Sequence, residues 1–242
     1  MKVSMLVCAT LAALFSGCSD DQAGGVGGAG GGTNATEDAF VGWEGPWHSQ
    51  GRFLADPEMQ PAYEAIAAAY NETYAEESGT THTVDTVRDH WVKLYSTDFA
   101  SADIAGSTVR FTDASGAELA ACGYAARGCN EVFYSGPDNA WSLEPSEDAW
   151  SETWCTFEAT TACGPYSRVI MTEFHSHDGE APHGHLRYGD LSFEELWDDR
   201  YEGNGRVHHY WWPTLLGSST TAAIYAAAEE ANAVENAEYL TY

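Results

Sequence analysis

The sequence predicts a mainly β protein with flanking helices, whose antiparallel strands form a sandwich or a barrel. Short segments of alternating polarity recur at roughly 8–12-residue spacing between Asp98 and Tyr188. Turn signals such as Gly136-Pro137 and Gly164-Pro165 separate them. Helical patterns lie before and after this region. Of the two β architectures, a barrel also removes exposed strand edges.

Two helices are predicted before the strands. The first begins at Asp56, a capping residue that is followed by Pro57 at the first helical position, and it ends at Ser78-Gly79. Its apolar residues recur at steps of three or four, so one face is expected to be buried. The second helix is predicted over residues 83–95.

Seven segments carry the strand pattern, and Gly116, Gly123 and Gly128 are interpreted as turn signals. The predicted strands are residues 99–104, 106–111, 117–124, 131–134, 149–157, 166–174 and 183–188. After them, Ser192 and Glu195 form a capping-box pattern that opens a short helix to about residue 200. Residues 221–238 are rich in Ala and Glu and are predicted to be helical.

The N-terminus is predicted to be an export signal over residues 1–17. Lys2 precedes an apolar run that is too short to span a bilayer comfortably. The run ends in Phe15-Ser-Gly-Cys18, which resembles a bacterial lipobox, so we expect lipidation of Cys18. Because Ser19 rather than Asp follows, an anchor in the outer membrane is favoured, at the periplasm or the cell surface.

A tether and one domain follow the signal. Residues 18–39 comprise the lipidated cysteine and a glycine-rich linker that cannot bury a core. Residues 40–242 are enough for one well-packed domain, and 13% aromatic content supports a substantial core. Acidic residues outnumber basic ones by 37 to 10. Such a surface repels nucleic acid and anionic lipid and concentrates cations.

Four cysteines remain after export and lipidation, and they are predicted to form two disulfides in an oxidising compartment. They are Cys122, Cys129, Cys155 and Cys163, and none lies in a Cys-x-x-Cys pair. Three pairings are open to them.

Four histidines between residues 175 and 185 predict a metal site. His175 and His177 precede an acidic turn, and His183 and His185 follow it. Residues i and i+2 of a strand point to the same face, so His183 and His185 can reach one ion. A third histidine from the preceding strand completes the three ligands of a zinc site with an open fourth position. Three imidazoles would also hold copper or nickel.

Several landmarks resemble those of the ZinT (YodA) family of periplasmic zinc-binding proteins. They are Trp43-Glu-Gly-Pro-Trp47, Lys93-Leu-Tyr95-Ser-Thr97-Asp98, His175, His183-Gly-His185 and Trp212-Pro213-Thr214. Their order and spacing match over about residues 40–240. The resemblance implies a lipocalin-like (calycin) antiparallel β-barrel with a zinc site at one mouth, and related domains occur fused to zinc-uptake lipoproteins.

The resemblance also assigns residues. It implies that His175, His183 and His185 bind one zinc ion per chain. The gap between His175 and His183 is one residue shorter than in the family, which leaves His177 as an alternative to His175. A cysteine pair of the family resembles Cys122 and Cys155, which favours Cys122–Cys155 with Cys129–Cys163. The family's histidine-rich N-terminal segment is replaced here by glycines.

The function expected from this resemblance is an extracytoplasmic lipoprotein that captures or buffers zinc, or other divalent ions such as cadmium. It would pass the metal to a zinc-uptake binding protein or transporter. Two alternatives remain open: a zinc-dependent hydrolase or hydratase with metal-bound water, and a calycin that binds a small organic ligand. The sequence has no His-Glu-x-x-His and no Gly-x-Ser-x-Gly motif, which favours a protein that is not an enzyme.

Overall fold

The computed structural model describes residues 38–135, 140–142, 150–176, 182–197, 211 and 213–241. The strands in these ranges are β1 (Gly45–Ser49), β2 (Ser101–Ala105), β3 (Thr108–Thr112), β4 (Glu118–Ser135), β5 (Ala140–Ser142), β6 (Trp150–Ala159), β7 (Arg168–Thr172), β8 (His183–Gly189) and β9 (Thr214–Gly217). The α-helices are α1 (Gln60–Thr73), α2 (Ala75–Ser78), α3 (Val84–Tyr95), α4 (Phe193–Trp197), α5 (Ala222–Ala231) and α6 (Ala233–Glu238). Four short 3₁₀ helices are Gln50–Phe53, Pro57–Met59, Gly164–Tyr166 and Tyr239–Thr241.

Eight of these strands close into an antiparallel barrel. Around the ring the order is β3, β2, β1, β9, β8, β7, β6 and β4, and β4 pairs with β3 to complete it. Apart from β5, which pairs with the distal end of β4, strands consecutive in sequence are neighbours in the ring. This is an up-and-down barrel, in which ring closure leaves none of the eight strands as an edge. The predicted barrel is confirmed.

The strand β4 was predicted as two strands separated at Gly128. It is instead continuous over 18 residues. A register shift against β6 between Ala126 and Gly128 marks a β-bulge, and Gly128 adopts a φ of 124° there. Glycine suits this position because it has no Cβ to clash at positive φ. The glycine therefore bends the strand instead of ending it.

Two short strands of the ring, β1 and β9, were not predicted, and neither was β5 outside the ring. β1 contains Gly45 and Pro46, and β9 has only four residues, so neither shows a recognisable alternation. β1 pairs with β2 on one side and with β9 on the other. These segments are extended because they pair with neighbouring strands of the ring. Strand formation depends more on such packing and pairing than on the intrinsic preference of the residues.

The helix predictions are confirmed in outline. The Asp56 side chain accepts a hydrogen bond from the Glu58 N–H at 3.0 Å, and a 3₁₀ turn then leads into α1. Thr83 caps α3 with a reciprocal capping box. The Ser192–Glu195 capping box opens α4. The predicted helix over 221–238 is interrupted at Asn232, which separates α5 from α6.

The described residues form two hydrophobic cores, one inside the barrel and one against its outer side. The inside is filled by large aromatic side chains, which are Phe40, Phe99, Phe111, Tyr124, Trp154, Phe157, Tyr166, Tyr188 and Trp211. The second core lies among α1, α3, α5 and α6, and Leu216 of β9 contributes to it from the barrel wall. Barrels of eight strands are narrow enough for side chains to fill. Among the described residues, no helix has the length and apolar character needed to cross a membrane.

The two disulfides have a pairing that differs from the expected one. Cys122 bonds to Cys163, and Cys129 bonds to Cys155. The favoured pairing of Cys122 with Cys155 is wrong because of strand register. In the β4–β6 ladder Cys129 lies directly opposite Cys155, with Cα atoms 3.9 Å apart. Cys122 lies seven residues earlier on β4, so it meets the chain just beyond the end of β6, where Cys163 is found.

Candidate metal site

His175 and His183 are brought together by backbone pairing. An isolated β-bridge joins them just beyond the end of β7. The N–H of each residue donates to the carbonyl of the other, at 2.9 Å and 2.8 Å. The adjacent strands thus hold two imidazoles opposite one another across the start of the β7–β8 hairpin.

His183 and His185 lie on the outer face of the barrel wall. Leu186 and Tyr188 of the same strand belong to the barrel core. Because side chains alternate along a strand, the odd-numbered residues of β8 point away from that core. Both histidines line a cavity together with Leu216 of the helical core. The site is therefore at the end of the wall where β8 begins, on the side that the helices cover.

The three imidazoles form a compact group. One potential ligand nitrogen from each of His175, His183 and His185 lies within 4.8 Å of the others, and all three residues are half-buried. Their ring centroids are 4.4 Å, 5.7 Å and 6.0 Å apart. Tetrahedral zinc with bonds of about 2.05 Å places two nitrogens about 3.3 Å apart. Small rotamer changes would bring these nitrogens to that separation.

Hydrogen bonds orient two of the rings. The Nδ1 of His175 is 3.0 Å from the Glu173 carbonyl oxygen, which can only accept, so Nδ1 carries the proton. The Nδ1 of His185 is 3.0 Å from Oγ1 of Thr214, a buried residue on β9. With Nδ1 engaged in both rings, Nε2 is the nitrogen that can ligate a metal. Metal-binding histidines commonly use such a partner to fix ring orientation.

Neither supporting group was recognised from the sequence. Thr214 belongs to the Trp212-Pro213-Thr214 landmark of the family resemblance. That landmark could have pointed to Thr214, but no role in the metal site was assigned to this residue. Glu173 contributes its backbone carbonyl rather than its carboxylate, and sequence reasoning does not anticipate this. His177, the alternative to His175, falls outside the described residues, as do Asp178 and Glu180 of the acidic turn and the pair His208-His209.

Removal of the Thr214 hydroxyl tests its orienting role. We expect Thr214→Val to weaken zinc binding by about 10- to 100-fold, because loss of a group that orients a ligand commonly costs this much. Isothermal titration calorimetry would measure the change. Thr156→Val is the matched control, since it removes another buried hydroxyl, which donates to the Gly128 carbonyl on the barrel. Equal zinc affinities for the two variants would contradict the role of Thr214.

Gly184 lies between His183 and His185 on β8, and its backbone packs closely against Phe174. A Cβ at this position would lie 2.7 Å from Cδ1 of Phe174. Phe174 cannot retreat easily because its ring is stacked on Trp47, with centroids 3.4 Å apart. The small residue between His183 and His185 is thus required by packing on the inner face of β8.

We therefore expect Gly184→Ala to lower the free energy of unfolding by about 1–3 kcal/mol through overpacking. The change should also reduce zinc affinity, because both neighbouring ligands shift with the strand. Chemical denaturation and metal titration would measure the two effects. Gly217→Ala is the control, since a Cβ there meets Pro182 at an ordinary 3.5 Å. If the two alanine variants were equally stable, the packing argument would be wrong.

The isolated histidines lie elsewhere. His48 has its Nδ1 3.1 Å from Ser101 Oγ, and the ring of His82 packs edge-on against Tyr70 at 4.4 Å. Burial lowers the pKa of His48, and the nearby Arg52 charge lowers it further. Burial also lowers the pKa of His82. Both imidazoles are thus engaged in contacts apart from the candidate metal site.

The closed eight-stranded barrel with helices on one side is a lipocalin-type, or calycin, architecture. Comparison with solved structures finds a similar fold in a ZinT-like domain. The Zn(II)-bound ZinT-like domain of Streptococcus pneumoniae AdcA aligns with a TM-score of 0.50 and 19% identity, covering 82% of this chain and 91% of that domain. Zn(II)-bound AdcA from the same organism aligns with a TM-score of 0.50 and 19% identity.

The second alignment covers 80% of this chain and 34% of AdcA, so this chain spans about a third of that protein's length. No protein-family profile matches the chain, and no curated protein matches it. The predicted lipocalin-like fold and its resemblance to ZinT are confirmed by the structural comparison.

Proposed function

We propose that this chain binds one zinc ion through His175, His183 and His185. The observation that carries the proposal is the convergence of three imidazole nitrogens within 4.8 Å. Neutral imidazoles suit zinc, and three of them leave a coordination position for water or another ligand. Both AdcA structures compared above are Zn(II)-bound, which supports the choice of metal.

The physiological role that we propose is capture and buffering of zinc outside the cytoplasm. A formal net charge of −27 concentrates cations around the protein. The signal and lipobox-like segment support export and anchoring through Cys18. Zn(II)-bound AdcA contains a domain of the same fold, which supports delivery of the metal to a zinc-uptake system. The structural neighbours are zinc-binding ZinT-like domains and not enzymes, which favours binding over catalysis.

Elemental analysis of protein purified without added metal is the first test. We expect zinc to be the principal bound metal, and a titration of the metal-free protein to saturate at one ion per chain. Turnover assays of the zinc form with esters and carbon dioxide should show no rate above that of free zinc. Bound metal other than zinc, or efficient turnover, would contradict the proposal.

The lipid anchor is tested separately. Mass spectrometry of protein extracted from membranes should find Cys18 at the N-terminus with lipid attached. Cys18→Ser should release the protein from the membrane fraction, because the lipid is attached through the cysteine thiol, which serine lacks. An unmodified N-terminus at another residue would contradict anchoring without affecting the metal site.

A further inference from the structure

A large cavity with a mixed polar and apolar lining adjoins the proposed zinc site. It has a volume of about 590 Å³ and lies between the β8–β9 wall and helices α5 and α6. His183 and His185 form part of one wall, and Glu229 lies in the lining contributed by the helices. A water occupies about 30 Å³, so a zinc ion with six waters needs roughly 200 Å³. The cavity is therefore large enough for an organic molecule in addition to the metal.

The lining determines what charge such a molecule can carry. Glu229 and Glu235 line the cavity, and the described residues of its lining include no Lys or Arg. Burial, followed by the negative charge of Glu229, raises the pKa of Tyr95 and Tyr225 well above the ordinary value, so both remain neutral. Among these described residues, an anionic group away from the metal would find no cation to pair with. An ammonium group would be attracted to Glu229.

Glu229 is held in place rather than freely solvated. Its Oε2 accepts hydrogen bonds from Trp91 Nε1 at 2.9 Å and from Asn236 Nδ2 at 3.1 Å. Trp91 is fully buried, and Asn236 lies on α6, so two separate elements fix the carboxylate. A carboxylate positioned in this way can bind a cation without first being ordered.

We propose that the cavity binds an amino-acid-like molecule next to the zinc, with its ammonium group at Glu229 and its imidazole or carboxylate at the open coordination position of the metal. This inference rests on the proposed zinc site, because the metal supplies one of the two contacts. The protein then captures zinc together with a small organic ligand, and the ligand covers the metal on the cavity side.

The test uses L-histidine and its des-amino analogue, imidazole-4-propionate, which differ in the ammonium group. Each is titrated into the full mature protein loaded with Co²⁺, whose visible spectrum reports a change of ligand, and into the zinc-loaded protein by calorimetry. We expect L-histidine to bind at least about tenfold more tightly, because its ammonium group gains a charged hydrogen bond to Glu229 that the analogue lacks. Gel filtration with elemental analysis should show that the metal stays on the protein.

Glu229→Gln should remove this preference while leaving zinc affinity unchanged. The glutamine oxygen can still accept from Trp91 and Asn236, so the fold is preserved. Glu230→Gln is the matched control, because Glu230 is exposed on the same helix and the net charge changes equally. It should retain the preference for L-histidine.

Equal affinities for the two compounds in the wild-type protein would overturn the inference. It would also be overturned by a preference that survives Glu229→Gln, or by removal of the metal by L-histidine without a ternary complex. A failure of zinc itself to bind in the preceding titration would instead refute the proposed function and this inference with it. The two failures are therefore distinguishable.

Discussion

Simultaneous replacement of His183 and His185 by alanine is expected to abolish tight zinc binding. Zinc sites with four protein ligands have apparent binding free energies of about 10–16 kcal/mol, or roughly 3 kcal/mol for each ligand. Loss of two ligands should therefore weaken affinity by roughly 10⁴-fold. Calorimetry or competition with a zinc indicator would measure the loss.

The control for this variant is His48→Ala with His82→Ala, which removes two half-buried imidazoles outside the site. We expect that protein to keep wild-type affinity and stoichiometry. Circular dichroism should show that both double variants are folded. Zinc binding by His183→Ala/His185→Ala with undiminished affinity would show that the metal is bound elsewhere.

Loss of either disulfide is expected to cause the largest change in stability. Cys122–Cys163 links residues 41 positions apart, and Cys129–Cys155 links residues 26 positions apart. The chain-entropy relation gives about 4 kcal/mol for the longer loop and about 3.5 kcal/mol for the shorter one. Serine substitution of both cysteines of a pair should lower the free energy of unfolding by about these amounts, as measured by chemical denaturation.

The pairing itself is tested by thiol titration. Cys122→Ser/Cys163→Ser and Cys129→Ser/Cys155→Ser should each contain no free thiol, because the remaining two cysteines are bonded. The crossed variant, Cys122→Ser/Cys155→Ser, should contain two free thiols. A crossed variant without free thiols would show that the strand register described here is wrong.

Local features of the chain predicted most helices correctly. Asp56, Thr83 and Ser192 begin helices because each side chain accepts a hydrogen bond from a backbone N–H of the first turn. Such a bond involves residues at most three positions apart, so the sequence contains the whole interaction. The break at Asn232 was not anticipated, since alanine-rich segments on both sides favour helix equally.

Strand pairing was less predictable than strand position. The bulge at Gly128 and the short strands β1 and β9 depend on partners distant in sequence. The same is true of the disulfides, whose pairing follows from the β4–β6 register. The residues around Gly128 gave reason to predict a turn there. A glycine at positive φ, however, fits a β-bulge as well as a turn.

The sequence alone determined the caps, the alternating strands, the absence of Cys-x-x-Cys and the spacing of His183 and His185 on one face of a strand. These depend on contacts between near neighbours and on the period of a strand. Tertiary structure decided that this face is the outer wall of the barrel and that Thr214 and Glu229 lie near it. Residues 29 or more positions apart meet there because ring closure and helix packing bring them together, and a linear pattern contains no information on such distances.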